Sequence, residues 1–224
     1  MCGRFTLTSE GEDLMDYLEI DSLECDFTWG PSYNIAPSQI IPVLIFKNGL
    51  AIRNMQWGLL PNWSKERKIS HRIINARAET LLEKSAYRNL VKSQRCIIIA
   101  DGYYEWTQTS QGKKPYYIYA PKNSILFFAG LWDEWCNDKK QHKITCSIIT
   151  TEPSKELKCI HKRMPVIIMK ERMNEWIDCS HPKDKALRLL KPYNQTLDYH
   201  PVSTFVNNPK NNSHKCIESI AMEE

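Results

Sequence analysis

Between residues 40 and 57 the chain reads Ile-Ile-Pro-Val-Leu-Ile-Phe, then Lys-Asn-Gly, then Leu-Ala-Ile-Arg-Asn-Met-Gln-Trp. Two apolar, strand-sized runs joined through Asn48-Gly49 predict an antiparallel hairpin over Ile40–Phe46 and Leu50–Trp57, because Asn-Gly supplies the positive φ angles of a type I′ turn. Further strands are expected at Arg95–Ala100, Tyr103–Gln108, Pro115–Ala120, Ile125–Gly130 and Lys143–Thr150. Ser9-Glu10-Gly11-Glu12 has capping-box spacing, and Leu14, Tyr17 and Leu18 follow at helical intervals, so residues 10 to 19 read as a short helix. Other helices are expected at Glu79–Val91, Pro153–Ile160, Lys170–Ile177 and Lys183–Leu190. Strands and helices do not alternate regularly. The fold class is therefore α+β, a strand-rich, β-barrel-like single domain with peripheral helices. Asn207 through Ser213, rich in Asn, Pro and Ser, reads as a linker, so the domain is expected to span 2–208 and a tail 209–224.

The 224 residues are 42% hydrophobic and 25% charged, enough for a sizeable core and an ordinary surface. A net charge of +4, spread along the chain, argues against a protein that coats long stretches of duplex by charge alone and leaves room for a short, local contact with a polyanion. No apolar run approaches the roughly 18 to 20 residues of a membrane-spanning helix, and Met1-Cys2-Gly3-Arg4 lacks the apolar core of a secretory signal. A cytoplasmic protein without membrane contact is expected. In a reducing compartment its eight cysteines should not form disulfides, and no Cys-x-x-Cys pair exists to hold structural zinc. No metal or cofactor is expected.

Four places carry candidate chemistry. Loss of Met1 would make Cys2 a free N-terminal cysteine, whose α-amine, with a pKa of roughly 8, is about a tenth neutral near pH 7. That amine attacks an aldehyde far ahead of any lysine, and the neighbouring thiol can then close on the same carbon to give a five-membered thiazolidine. Read alone, Cys2 is equally a small residue suited to a first strand. Asn75 and Arg77 put an amide and a guanidinium on one side of an extended segment, suited to an anionic ligand, or else form a helix cap with a surface ion pair. Glu105, among Tyr103, Tyr104 and Trp106, is a carboxylate whose desolvation would raise its pKa toward neutrality, or a solvated residue of an edge strand. His161, followed by Lys162 and Arg163, is a group that titrates near neutral pH, or part of a basic turn.

Taken in order, Met1-Cys2-Gly3-Arg4, Tyr33-Asn34-Ile35-Ala36-Pro37, Trp57-Gly58-Leu59-Leu60-Pro61-Asn62-Trp63, Asn75-Ala76-Arg77-Ala78-Glu79-Thr80, Asp101-Gly102-Tyr103-Tyr104-Glu105-Trp106, Phe128-Ala129-Gly130-Leu131-Trp132 and His161-Lys162-Arg163-Met164-Pro165-Val166 resemble the SOS-response-associated peptidase family, also called abasic-site processing proteins. The resemblance runs from Cys2 to about Asn208. It implies a monomer that finds abasic sites in single-stranded DNA and cross-links to them through Cys2 as a thiazolidine, in the cytoplasm and on the nucleoid when bound. It further implies that Asn75 holds the reacting amine and sugar, and that Glu105 and His161 move protons. Arg4, Arg77 and Arg163 would approach phosphates, and Trp63 and Trp106 would lie beside the DNA path. Self-removal of Met1 belongs to the same implication, and an imine that lingers before thiol closure would acidify the adjacent C–H and give weak lyase activity. Lys162 stands where an acidic residue is common in the family, which should lower the imidazole pKa of His161.

Two rivals remain at this level. A glutamine amidotransferase with an N-terminal nucleophile can also begin Met-Cys-Gly, although the further glutamine-binding blocks are missing here. A noncatalytic reader of damaged or modified DNA would leave Cys2 incidental. If three arginines neutralise phosphates on a single strand, the log–log salt slope of binding should be about −2.

Overall fold

The computed structural model describes residues 2–20, 30–65, 73–110, 112–137 and 140–221. The expected hairpin forms as β3 (Ile40–Phe46) and β4 (Leu50–Trp57), in continuous register from Ile40 opposite Gln56 to Phe46 opposite Leu50. Asn48 and Gly49 both take positive φ, at 56° and 139°. The hairpin is built into a closed barrel. β3 pairs with β6 (Arg95–Ala100), β6 with β9 (Leu126–Cys136), and β9 with β10 (His142–Thr151), all antiparallel. The ring closes where β10 runs parallel to β4, Cys146 opposite Trp57. Closure leaves these five strands no unpaired edge where they meet. Gly130 of β9 pairs with Cys96 and Ile148, where an added Cβ would stand 2.3 Å from Ile98 Cδ1 and 2.9 Å from Cys96 Sγ, so the glycine leaves room for these core side chains.

A second, five-stranded sheet lies against the barrel. Its order is β12 (Asp198–Pro201), β8 (Gly112–Tyr119), β7 (Gly102–Thr109), β1 (Phe5–Leu7) and β2 (Ser32–Ile35). Phe5 and Tyr103, paired across β1 and β7, point into the joint and meet barrel side chains edge-on: Phe5 to Trp57 at 5.1 Å and Tyr103 to Phe128 at 5.9 Å. One apolar core thus spans both sheets. Two short strands continue the barrel wall beside β10: β5 (Asn75–Arg77), parallel to it, and β11 (Met164–Pro165), antiparallel.

The helices depart most from expectation. The first, α1 (Gly11–Leu18), is present, but Glu10 is its cap and makes no side-chain capping bond. Ser9 instead donates to Asp101 at 2.9 Å, so the capping box does not form. The stretch 79–91 is a 3₁₀ turn at Ala78–Thr80, a string of turns, and one short helix, α2 (Leu90–Ser93). Its buried apolar residues lie only at the two ends, Leu81 and then Leu90 and Val91, leaving no stripe to support a continuous helix. Residues 153–160 form turns and no helix. Thr107 of β7 donates to Ile160 O at 3.0 Å and ties the end of these turns to the sheet. Beyond a 3₁₀ turn at Lys170–Arg172 lie α3 (Met173–Ile177) and α4 (Lys183–Leu187).

The segment read as linker and tail is docked. Asn34 of β2 donates its amide to the carbonyls of Val206, Asn208 and Asn211, at 3.1, 3.0 and 2.7 Å. Cys216 is buried, and Ser219 bridges to Val202. Among the described residues every cysteine is free; Cys2, Cys96, Cys146 and Cys216 are buried, while Cys136 and Cys159 are exposed. Cys25 lies outside the described residues.

Candidate functional site

Four residues distant in sequence meet at the seam between the two sheets. Cys2 precedes β1 and is fully buried, Asn75 opens β5 on the barrel wall, Glu105 lies on β7, and His161 ends the turns before β11. Asn75 Nδ2 donates to the Cys2 carbonyl at 2.8 Å and ties the first residues of the second sheet to the barrel. Behind Asn75, the Tyr87 hydroxyl donates to its backbone carbonyl at 3.2 Å. His161 Nδ1 stands 3.6 Å from Glu105 Oε1 and 3.1 Å from both the N–H and the carbonyl of Arg163. A solvent-open cavity of about 440 Å³ is lined by Glu105, Trp106, Lys113, His161 and Asn207.

Burial sets the protonation states. Alternation along β7 sends Tyr103 and Glu105 to the face that packs on the barrel, and burial pushes the Glu105 carboxyl up to about 7. Burial lowers the imidazole of His161, and the charges of Arg163 and Lys162 push in the same direction. Near neutral pH the histidine is therefore mostly neutral beside a carboxyl that exchanges its proton readily, an arrangement able to give and to accept protons. Burial, and after it the charge of Glu105, drives the Cys2 thiol well above its ordinary range. It is held as a thiol.

Two buried polar atoms here lack a hydrogen-bond partner. Asn75 Oδ1 is an acceptor without a donor, and the Tyr103 hydroxyl is completely buried with no partner. Leaving such atoms unpaired costs about 1 to 3 kcal/mol each. Asn75 thus contributes its amide nitrogen to the frame while its oxygen has no protein partner among the described residues.

The residues expected to face DNA are arranged differently. Arg4 Nη1 donates to Asn34 Oδ1 at 2.6 Å and to Val206 O at 2.8 Å, and its guanidinium lies 5.9 Å from the Trp106 ring centroid. Arg163 forks onto both oxygens of Glu79 at 2.7 and 2.9 Å and also donates to Thr150 O at 2.6 Å. Arg77 is exposed at the end of β5. Trp106 is half-buried and donates Nε1–H to Asn207 at 2.8 Å, whereas Trp63 is 59% exposed. Sequence reasoning missed Lys113, Asn207, Asn34 and the Tyr103 hydroxyl. Lys113 is placed by the β7–β8 register, opposite Gln108, a pairing that the Gly112 turn could have indicated.

Residues 1–209 match the family model of the SOS response associated peptidase, SRAP. The chain belongs to this family. Among its relatives, the abasic site processing protein YoqW of Bacillus subtilis is 41% identical over 223 residues, spanning 98% of this chain and all of that one. The abasic site processing protein HMCES of Gallus gallus is 34% identical over 226 residues, covering 86% of this chain and 67% of that protein. A crystal structure from Bacteroides thetaiotaomicron, 25% identical, superposes with a TM-score of 0.86 over 98% of this chain and all of its own. The two-sheet, barrel-centred architecture is thus shared with that protein. Among the described residues no group of three His, Cys, Asp or Glu side chains converges to hold a metal, and no helix is long and apolar enough to cross a membrane.

Proposed function

We propose that this chain, once Met1 is removed, captures abasic sites in single-stranded DNA by a covalent bond from Cys2, acting as a monomer in the DNA damage response. The observation that carries the reading is the grouping of Asn75 on the Cys2 carbonyl with the His161–Glu105 pair, whose carboxyl charge reaches the Cys2 thiol, and an amide oxygen at Asn75 left unpaired. The names of the SRAP relatives, abasic site processing proteins, supply the substrate class.

An abasic sugar is mostly a closed hemiacetal. Opening it needs a proton on the ring oxygen and removal of one from the C1′ hydroxyl, roles that fit Glu105 and His161. The neutral α-amine of Cys2 adds to the aldehyde carbon and water leaves, giving an imine. The thiol then adds to that carbon and surrenders its proton, so the net change is aldehyde plus aminothiol to thiazolidine plus water. Asn75 Oδ1 can accept from the α-amine and hold it in line. While the imine persists, the acidified neighbouring C–H allows loss of the 3′ phosphate, a weak lyase reaction that thiol closure suppresses. Arg77 is the exposed arginine for a phosphate. Trp63 and Trp106 can stack on bases beside the lesion, each contact worth on the order of 1 to 3 kcal/mol whatever the base. Removal of Met1 by the same site would show as a mass loss that Cys2→Ala prevents.

The test is a denaturing gel of Met1-free protein mixed with an abasic oligonucleotide. A heat-stable shifted band that disappears in Cys2→Ala is expected; a shift seen only on native gels, or one that survives the substitution, refutes the reading. Cys2→Ser keeps the amine without the sulfur and should give an unstable adduct with more strand cleavage. A serine adduct as durable as wild type would rule out the thiazolidine. Ammonia released from glutamine would point to an amidotransferase instead.

A further inference from the structure

Trp63 is the most exposed large apolar side chain among the described residues, yet the backbone that carries it is gripped on both sides. The chain leaves β4 and turns at 61–64, where Ser64 N–H donates to Pro61 O at 2.9 Å. Before the tip, Asn62 N–H donates to Asp133 Oδ2 at 2.8 Å. After it, Ser64 O accepts from Trp135 Nε1 at 2.7 Å. Asp133 and Trp135 are two apart on β9 and so share a face. They hold residues 62 and 64 like two fingers and leave residue 63 between them in solvent. Leu60 N–H, donating to Thr145 Oγ1 at 2.9 Å, anchors the same loop to β10.

The Asp133 carboxylate is only 3% exposed. Its partners are neutral: Asn62 N–H, Gln94 Nε2 at 3.2 Å and Glu134 N–H at 2.9 Å. Burying a carboxylate without a cation is unfavourable, and burial raises its pKa here. What the molecule obtains in exchange is one fixed loop conformation. An aromatic on a loose loop must lose that freedom when it stacks on a base, whereas a pinned one has lost it during folding.

We propose that Asp133 and Trp135 are positioning residues that preorganise Trp63 as a stacking platform for a base beside the lesion. The proposal rests on the reading of Trp63 as a DNA contact, and its test separates the two. Protein labelled with 5-fluorotryptophan is examined without DNA, the Trp63 resonance being assigned by its loss in Trp63→Phe. Asp133→Asn keeps the side-chain volume but turns an NH2 toward one of the three donors; Trp135→Phe removes the bond to Ser64 O together with part of the buried indole, and serves if the first variant folds poorly. Both should move the Trp63 resonance toward its position in unfolded protein. No movement in either overturns the clamp.

Affinity is then measured on single strands bearing a tetrahydrofuran abasic analogue, which has no aldehyde and cannot cross-link. Trp63→Ala should weaken binding about tenfold, within the range for loss of one stacked base, and Asp133→Asn about fivefold. In the Trp63→Ala background Asp133→Asn should change affinity less than 1.5-fold. A fivefold loss there would show that Asp133 acts on DNA binding by another route and sinks the proposal. If Trp63→Ala itself leaves affinity unchanged while the fluorine signal moves, the DNA reading of Trp63 fails and the platform with it.

Discussion

The seam around Cys2 and the rim of arginines and tryptophans differ in what each leaves available. In the seam Cys2 and Glu105 are buried and Asn75 and His161 half-buried, burial favours the neutral forms of Glu105 and His161, and hydrogen-bonding capacity remains at Asn75 Oδ1. On the rim, two of the three arginines expected at phosphates already serve the protein, Arg4 on Asn34 and Val206 and Arg163 on Glu79. A count of basic residues therefore overstates the charge free to meet DNA. Under the function proposed above, the contrast corresponds to a protein that holds its target by stacking and by a covalent bond more than by electrostatics.

The strongest way to break this contrast is at Glu105. Glu105→Gln should slow cross-linking at least a hundredfold, the usual scale for losing a general acid or base, while affinity for the tetrahydrofuran strand stays within twofold. The same carboxyl marks stability. Between its unfolded pKa of 4.5 and its folded value of about 7 the native chain keeps a proton that the unfolded chain has lost, so stability falls as pH rises through that window. Thermal melts of Glu105→Gln and wild type should thus diverge from pH 5 to pH 8 in favour of the variant, by up to roughly 3 kcal/mol. Parallel curves would mean that Glu105 is not buried as described.

A smaller effect is expected at Trp106, which belongs to both regions through the cavity it lines and its bond to Asn207. Trp106→Ala should weaken tetrahydrofuran-strand binding about tenfold, but Trp106→Phe should cost about 1 kcal/mol of stability with less than a threefold change in affinity. The smallest concerns Glu79. If a phosphate can replace its carboxylate on Arg163, Glu79→Gln should tighten binding two- to threefold and steepen the log–log salt slope by about 0.7. An unchanged slope in a titration from low to moderate salt would make Arg163 purely a strut.

The strands were legible because their signal is local. Cys96–Ala100, after Arg95, is a run of apolar residues with no competing period, and Asn48-Gly49 specifies its turn without help from the rest of the fold. The helical expectation fails at 79–91 because nothing between Leu81 and Leu90 is buried to support a stripe, and at 153–160 the chain closes i→i+3 turns at Leu157 and Ile160 instead. The site shows the same division. Cys2, Asn75, Glu105 and His161 could be named because each combines a reactive group with an unusual setting in the chain. Asp133 and Trp135 could not, since nothing in Trp-Asp-Glu-Trp reveals that two of its residues reach across to a loop some 70 positions earlier.

The docked C-terminal segment has a consequence for the second sheet as a surface. Unlike the barrel, that sheet ends in two open strands, β2 and β12. Tyr33 N–H on the outer strand β2 donates to Asn212 at 2.7 Å, and at the opposite end Ile220 N–H donates to Pro201 O at 3.1 Å. One stretch of about ten residues thus blunts both margins of the sheet. Unpaired margins are where sheets recruit further strands from other molecules. A chain cut after Asn208 would keep Cys2, Asn75, Glu105 and His161 yet present two sticky borders, so its loss would register first in self-association.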